Sequence, residues 1–476
     1  MFTKYFFLKN NLHNSNRTAV ITENNIKISY SLLFKDIKNY SKYIHKNTIL
    51  LILSDNSYNT LVVYLSCIYN KTLPIFLDKN IRSNKLEGII KKFNPNYIWS
   101  SSNIKTLEAK YCKKNISEQS ILFQSIYFYN HKLDPKIALL LSSSGSTGSF
   151  KFIKISYKNI KHNTKTISQY LKLDKNDKTI INLPFNYSYG LSLINTHLLV
   201  GGKILLTKNS ILSKEFWNTF KNFKPTNFNG VPYTYELIAK LYLNKIDFSC
   251  LKFITQAGGK LNKDLIKKLI ITSRKYNFKF YMMYGQTEAS PRISYLNPNL
   301  IEEKIGSIGK PIKGGKIWLE DENNNIIKRP YREGELIYKG PNVFMGYAKN
   351  IKDLDTKYIN SNILRTGDIA EYDSDKFYFI KGRKNRYSKI YGNRINLEEI
   401  ENIFLKYKYP IVCSIKDNYL NIYCEKYINS KDLLNMLKKN TTIPINRCRV
   451  HIIKKIPRNN SGKVIYNKLD ANNVGQ

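Results

Sequence analysis

The chain has 476 residues, a formal net charge of +42 and 42% hydrophobic residues. That length exceeds what one core fills and predicts about two to four packed units, and the apolar content excludes a disordered chain. The charge raises nucleic acid or an anionic surface as a partner. The lysines, however, are spread over every segment rather than gathered in a stripe, so the excess reads as a composition bias that keeps the chain soluble and attracts anionic substrates.

In chain order, apolar runs of strand length alternate with amphipathic stretches. Strands are predicted at 49–53, 73–77, 179–183, 203–206, 253–254 and 278–282, with helices at 58–68 and 85–93. This rhythm points to layered α/β units with largely parallel sheets. From about Ile308 to Gly382, short strands separated by Gly, Asn and Asp turns predict a small β subdomain. Beyond it, a small α+β unit is expected. Asn396 caps a helix with Glu399 at the capping-box position, and Leu397, Ile400, Phe404 and Tyr407 share one face. Strands at 411–415 and 420–424 and a helix from Lys431 follow, and the chain ends in a basic loop, 457–463. The predicted fold class is therefore α/β: a large N-terminal domain of layered α/β subdomains plus a small β subdomain, then a small α+β C-terminal domain.

The six cysteines form no CxxC pair and have no histidine at ligand spacing. A disulfide framework or a zinc site is not expected, and a reducing cytoplasm is. The apolar patch at 1–9 is too short for a signal sequence, and no run of 18 apolar residues predicts a membrane span. His162 and His197 have no arrangement suggesting a nucleophile triad, and His197 reads as a packed core residue.

One loop stands out chemically. Ser143, Ser144, Gly145, Ser146, Thr147, Gly148 and Lys151 follow the apolar run 137–141. Small residues let backbone N–H groups converge, hydroxyls add donors, and a lysine ends the run, which suits a polyphosphate. The Walker A spacing fails, because the second glycine would fall on Phe150 and Lys151 is followed by Phe152. A flexible surface loop is the plainer reading of this segment alone.

Taken with 155–160, this loop resembles the signature of the adenylate-forming superfamily of acyl- and aryl-CoA synthetases, luciferases and peptide-synthetase adenylation domains. Phe150 and Phe152 stand where that family usually has Pro and Gly. The stretch 284–289 resembles its second signature, and the resemblance implies that Thr287 contacts phosphate and that Glu288 holds Mg²⁺, a hard cation suited to carboxylate oxygen. Gly258, Tyr284 and Gly285 join the implied nucleotide contacts. The block 334–347, with Gly334, Gly340 and Gly346 marking turns, is expected to be structural. Asp368, in a Thr-Gly-Asp triplet, resembles the carboxylate that accepts from both ribose hydroxyls, and Arg383 the arginine on the same side of the nucleotide. Asn385 corresponds to the hinge and Gly392 to the glycine of the thiol channel. Lys463 corresponds to the lysine that reaches the substrate carboxylate and α-phosphate.

The resemblance covers roughly residues 15–470. It implies domains at 1–384 and 385–476, the second of them mobile, and activation of a carboxylic acid by ATP and Mg²⁺ with transfer to CoA. The alternative acceptor is the phosphopantetheine of a carrier protein supplied in trans. Asn186, Tyr187, Tyr189 and Gly190, with Asn229, Gly258 and Gly259, correspond to the acyl pocket. Asn186 replaces the Asp that pairs with an amino-acid ammonium, which disfavours amino acids. A hydroxylated aryl acid, a short acyl chain and a modified sugar acid remain open. Two other classes are a nucleic-acid binder, which leaves the motifs unexplained, and a non-catalytic structural member, against which Glu288, Asp368, Arg383 and Lys463 argue.

Overall fold

The computed structural model describes residues 13–142, 151–243, 245–355, 362–390, 393–407, 409, 411–416, 419–425, 429–440, 445–459 and 464–469. The chain forms two compact units. The first comprises residues 1–144, 149–316 and 339–364, and the second 145–148, 317–338 and 365–476.

Two sheets organise the first unit. The strands Ile49–Ser54, Leu73–Asp78, Tyr97–Ser100 and Ile137–Ser142 run parallel in an eight-stranded sheet. Its margins are antiparallel, with the hairpin of Tyr111–Ser117 and Ser120–Ser125 on one side and Phe152–Ser156 on the other. The strands Lys178–Ile181, Lys203–Leu206, Asn227–Gly230, Phe253–Gln256 and Lys279–Gly285 form the parallel heart of a nine-stranded sheet. Every residue of Ile49–Ser54 is buried. A strand covered on both faces is apolar throughout rather than alternating, which is why it reads as an unbroken run.

Helices Tyr30–Ser41, Tyr58–Asn70, Tyr157–Tyr170 and Ser188–Val200 share one core with residues from both sheets, including Leu50 and Ile52 of one and Ile204 and Leu206 of the other. Enclosure explains the apolar character of Tyr58–Asn70 and Ser188–Val200, since a helix packed on several sides has no wide polar stripe. Across this layer Tyr64 Oη donates to Asn195 Oδ1 at 3.1 Å. Ser57 caps Tyr58–Asn70 by accepting from Thr60 N–H, and Ser188–Val200 stops at Gly201, whose φ is +77°.

In the second unit Lys316–Glu320, Gly334–Lys339, Ile363–Tyr372 and Tyr378–Arg383 build a four-stranded sheet. Gly334 opens a strand rather than marking a turn. A Cβ there would lie 2.4 Å from Ile327 Cδ1 and 2.6 Å from Glu320 O, so close packing requires the glycine. The hairpin of Tyr387–Ile390 and Asn393–Asn396 leads to helix Leu397–Lys406. Strands Ile411–Lys416 and Tyr419–Cys424, helix Ser430–Asn440 and strand Cys448–Ile452 complete the unit. Leu397, Ile400 and Phe404 lie in its core as the helical spacing predicts, while Tyr407 is exposed. The side chains of Asn396 and Glu399 lie outside the described residues.

Among the described residues no helix is long and apolar enough to cross a membrane.

Candidate active site

The strand Lys279–Gly285 carries Tyr284 and Gly285 out of the parallel sheet, and a single helical turn, Thr287–Ala289, follows. Two amides hold this turn from behind. Asn342 Nδ2 donates to the carbonyls of Ala289 at 2.6 Å and Arg292 at 2.7 Å. Asn163 Nδ2, from helix Tyr157–Tyr170, reaches the same two carbonyls at 3.3 and 3.1 Å. Buried carbonyls that leave a ladder need such partners. At Gly285 a Cβ would lie 1.9 Å from Pro291 O, so the turn closes on itself only with glycine.

Thr287 and Glu288 are both half-buried on this mount. Thr287 Oγ1 lies 3.0 Å from Ser188 Oγ, the first residue of helix Ser188–Val200. Glu288 Oε1 accepts from Tyr347 Oη at 3.0 Å. That ring also packs edge-on against Phe344 at 4.9 Å and carries Lys151, whose Nζ lies 3.4 Å from the Tyr347 centroid. Burial, reinforced by the Glu288 carboxylate, pushes the Tyr347 phenol well above its ordinary range, so it stays a donor. Ser143, Ser144, Gly145, Ser146, Thr147 and Gly148 lie outside the described residues.

Among the described residues no cluster of three His, Cys, Asp or Glu side chains forms a ready-made metal cage. A lone carboxylate such as Glu288 fits Mg²⁺, which takes one or two protein carboxylates and completes its shell with water and substrate phosphates.

The turn before helix Ser188–Val200 carries the residues matched to the acyl pocket. Asn186 and Tyr187 are half-buried there, and Tyr189 is 2% exposed. Gly190 sits where a Cβ would be 2.3 Å from Pro184 O. Gly258 has φ +89°, and a Cβ on it would meet Tyr187 Oη at 2.5 Å, so phenol and glycine backbone are in close contact. Gly259 lies against Pro232.

Tyr189 and Asn229 belong to a buried line of hydrogen bonds. Tyr189 Oη and Thr255 Oγ1 are 2.6 Å apart. Thr255 Oγ1 donates to Asn229 Oδ1 at 2.6 Å, Asn229 Nδ2 to Asn227 Oδ1 at 2.9 Å, and Asn227 Nδ2 to His197 Nε2 at 3.0 Å. His197 Nδ1 in turn donates to Leu193 O at 2.8 Å. Burial lowers the His197 pKa to about 4, which keeps the ring neutral in this line. His197 is thus a core residue, as its apolar surroundings predict.

In the second unit the antiparallel register sets Asp368 directly opposite Arg383. Arg383 Nε lies 3.0 Å from Asp368 Oδ1, with Asp368 buried and Arg383 exposed. Gly367, at φ +71°, provides the bend that places Asp368. Asn385 falls in the single turn Lys384–Arg386, and its side chain lies outside the described residues, as do Gly392 and Lys463. The neighbouring Arg386, which no motif singles out, pairs with Glu401 and donates from Nη1 to Cys413 O at 2.7 Å.

Arg292, Asn163, Asn342 and Tyr347 are the site residues that sequence reasoning missed. The last two lie in the block read as structural, and nothing in their spacing announces a partner more than 50 residues away.

The profile of the AMP-binding enzyme family matches residues 7–348. The chain is 24% identical to a 2-succinylbenzoate–CoA ligase of Oceanobacillus iheyensis, over 95% of this chain and 96% of that protein. It is 26% identical to an oxalate–CoA ligase of Saccharomyces cerevisiae, over 69% of this chain and 62% of that protein. Its fold superposes on o-succinylbenzoate CoA synthetase of Bacillus subtilis with ATP and magnesium at a TM-score of 0.80, with 19% identity and coverage of 98% and 99% of the two chains. MatB of Rhodopseudomonas palustris with bound ATP gives a TM-score of 0.79, also at 19% identity, with coverage of 98% and 97%. The chain is a member of the AMP-binding enzyme family.

Proposed function

We propose that this protein is an AMP-forming acid–CoA ligase. It activates a small carboxylic acid with ATP to an acyl-adenylate, releases pyrophosphate, and passes the acyl group to the thiol of CoA. The observation that carries the reading is the convergence of Lys151 and Glu288 on Tyr347. One ring holds a cation from the first phosphate signature beside a carboxylate from the second.

Activation brings two anions together, a carboxylate and a triphosphate, so the protein's task is electrostatic. Lys151 and the hydroxyl of Thr287 face phosphate oxygens. Glu288 holds Mg²⁺, which when bound neutralises polyphosphate charge. Asp368 takes the ribose hydroxyls, and its pairing with Arg383 orients the carboxylate. Lys463 brings positive charge to the reacting carboxylate. Asn385, at the junction of the 1–384 and 385–476 segments, serves as the pivot that exchanges Lys463 for Gly392 between the half-reactions. CoA is the acceptor favoured by the names of the relatives, and a carrier-protein phosphopantetheine is the alternative.

ATP–pyrophosphate exchange over a panel of carboxylic acids, followed by product analysis with CoA, tests this. The expected products are AMP, pyrophosphate and an acyl-CoA. ADP and phosphate, or exchange independent of any acid, would refute the reading.

A further inference from the structure

Among the described residues Arg292 is the most deeply buried arginine side chain, and the proposed chemistry leaves it unused. It lies in the strand Arg292–Tyr295 with 2% exposure, and its Nε has no hydrogen-bond partner. A guanidinium stays protonated in proteins, so a full positive charge is buried here. Burying a charge without an opposite one is expensive. Its surroundings are aromatic: the guanidinium carbon lies 5.0 Å from the Tyr189 centroid, and Tyr170 and Tyr187 also sense its charge. Tyr170 itself stacks on Tyr295 at 4.0 Å.

These phenols do not neutralise it. Burial pushes Tyr170 and Tyr187 up to about 12 even with Arg292 pulling the other way, so both are uncharged near pH 7. Ring faces offset only part of the desolvation. Among the described residues no carboxylate pairs with Arg292. The remaining residues of the first unit, at 1–12, 143–144, 149–150, 244 and 356–361, include no Asp or Glu. The first unit therefore supplies no counter-charge of its own.

The charge is close to the acyl-pocket residues. Tyr187, which packs on Gly258, lies 6.3 Å from Tyr189 ring to ring, and Tyr189 carries the guanidinium. We propose that Arg292 is the counter-charge for a second carboxylate on the acid, so that the substrates are dicarboxylic acids. This inference rests on the acid-activating reading above. One carboxylate is activated, and the other is held by the guanidinium within the aromatic wall. A neutral acyl tail in the same place would leave the buried charge unpaired, which is the kind of mismatch that gives strong discrimination. Arg292 acts here as a specificity residue and takes no part in the chemistry.

The test compares matched acids in ATP–pyrophosphate exchange with the full chain: succinate against monomethyl succinate, glutarate against pentanoate, and homophthalate against phenylacetate. The wild type is expected to favour at least one diacid over its partner by about 10- to 100-fold in kcat/KM, the range for a hydrogen-bonded charge. In Arg292→Met the preference collapses, with KM rising more for the diacid than for its monoacid partner. Arg292→Lys keeps the charge without the fork and retains part of the preference. Equal use of both members of every pair by the wild type overturns the assignment while leaving acid activation standing, and so does an equal loss on both in Arg292→Met. The wild-type comparison decides even where a variant fails to fold. Exchange with none of the acids overturns the acid-activating reading, and this inference with it.

Discussion

Tyr347 donates to Glu288 across 59 residues of sequence, at 3.0 Å, and presents its ring face to Lys151. Oppositely charged residues from separate signatures thus share one neutral spacer. The spacing keeps Lys151 and Glu288 from collapsing into a direct ion pair, and it leaves both charges available to a third party.

Tyr347→Phe should therefore loosen metal use without abolishing it. Loss of one hydrogen bond to a partly exposed carboxylate predicts an increase of about tenfold or less in the magnesium concentration needed for half-maximal exchange. Glu288→Gln should act much more strongly on the same titration. Identical magnesium curves for Tyr347→Phe and the wild type would show that the hydroxyl does not position Glu288.

Lys463→Ala should abolish exchange, with a loss of about 10²–10³ in rate for a single stabilising charge. Thioester formation from supplied acyl-adenylate should survive. Gly392→Trp should do the reverse. Assaying both half-reactions in both variants checks this, and parallel losses would contradict the use of one small domain in two orientations.

Gly258→Ala should impair acid binding for two separable reasons. One is the positive φ of +89°, and the other is contact with Tyr187 Oη. Adding Tyr187→Phe removes the second and should recover part of the KM without recovering thermal stability. A double variant no better than Gly258→Ala would assign the whole defect to backbone strain.

Acid should destabilise the first unit through His197. Its pKa falls from an ordinary 6.5 to about 4 on burial. The unfolded chain therefore takes up the proton first. The contribution is fully present above about pH 6.5 and is lost as pH falls toward 4. A shift of this size corresponds to about 3 kcal/mol. Urea unfolding from pH 8 to 4 should show the decline, and His197→Gln should flatten it in that window.

Breaking the Arg386–Glu401 pair should loosen the second unit. Glu401 also accepts from Cys413 N–H at 2.7 Å, so it ties helix Leu397–Lys406 to strand Ile411–Lys416. Removing one partner of a largely buried pair costs about 3–5 kcal/mol. Glu401→Gln should speed hydrogen exchange in these two elements and leave that of Ile49–Ser54 unchanged.

Parallel strands such as Ile49–Ser54 and Leu73–Asp78 were legible because burial on both faces makes them nearly unbroken apolar runs, whereas the parallel strands Tyr97–Ser100 and Asn227–Gly230 were not read, the latter because its buried positions include Asn227 and Asn229. The hairpin Tyr111–Ser117 and Ser120–Ser125 was not read, since its first strand is mostly exposed and polar and carries no apolar run. Cys448–Ile452 was missed for a related reason: it pairs in parallel with Tyr419–Cys424 and none of its residues is fully buried. At the candidate site, motif residues such as Glu288 and Asp368 were visible because their chemistry is local to a short string. Arg292 was not, because an arginine in a strand looks solvated until the layers on both sides are known. Asn163 and Asn342 were invisible because their meaning lies in two carbonyls that only the folded chain brings to them.

The line from Tyr189 to His197 has a sense of direction. Each member gives its hydrogen toward the histidine, from phenol to hydroxyl to amide to amide to imidazole, and the ring passes its own to Leu193. Such a file of donors cannot reverse one member at a time, because any single inversion sets two hydrogens or two lone pairs face to face. A proton placed on His197 Nε2 would oppose the Asn227 amide and demand that every link behind it turn over together. The hydroxyl of Tyr189, whose ring lies under Arg292, is therefore coupled to a histidine several links away.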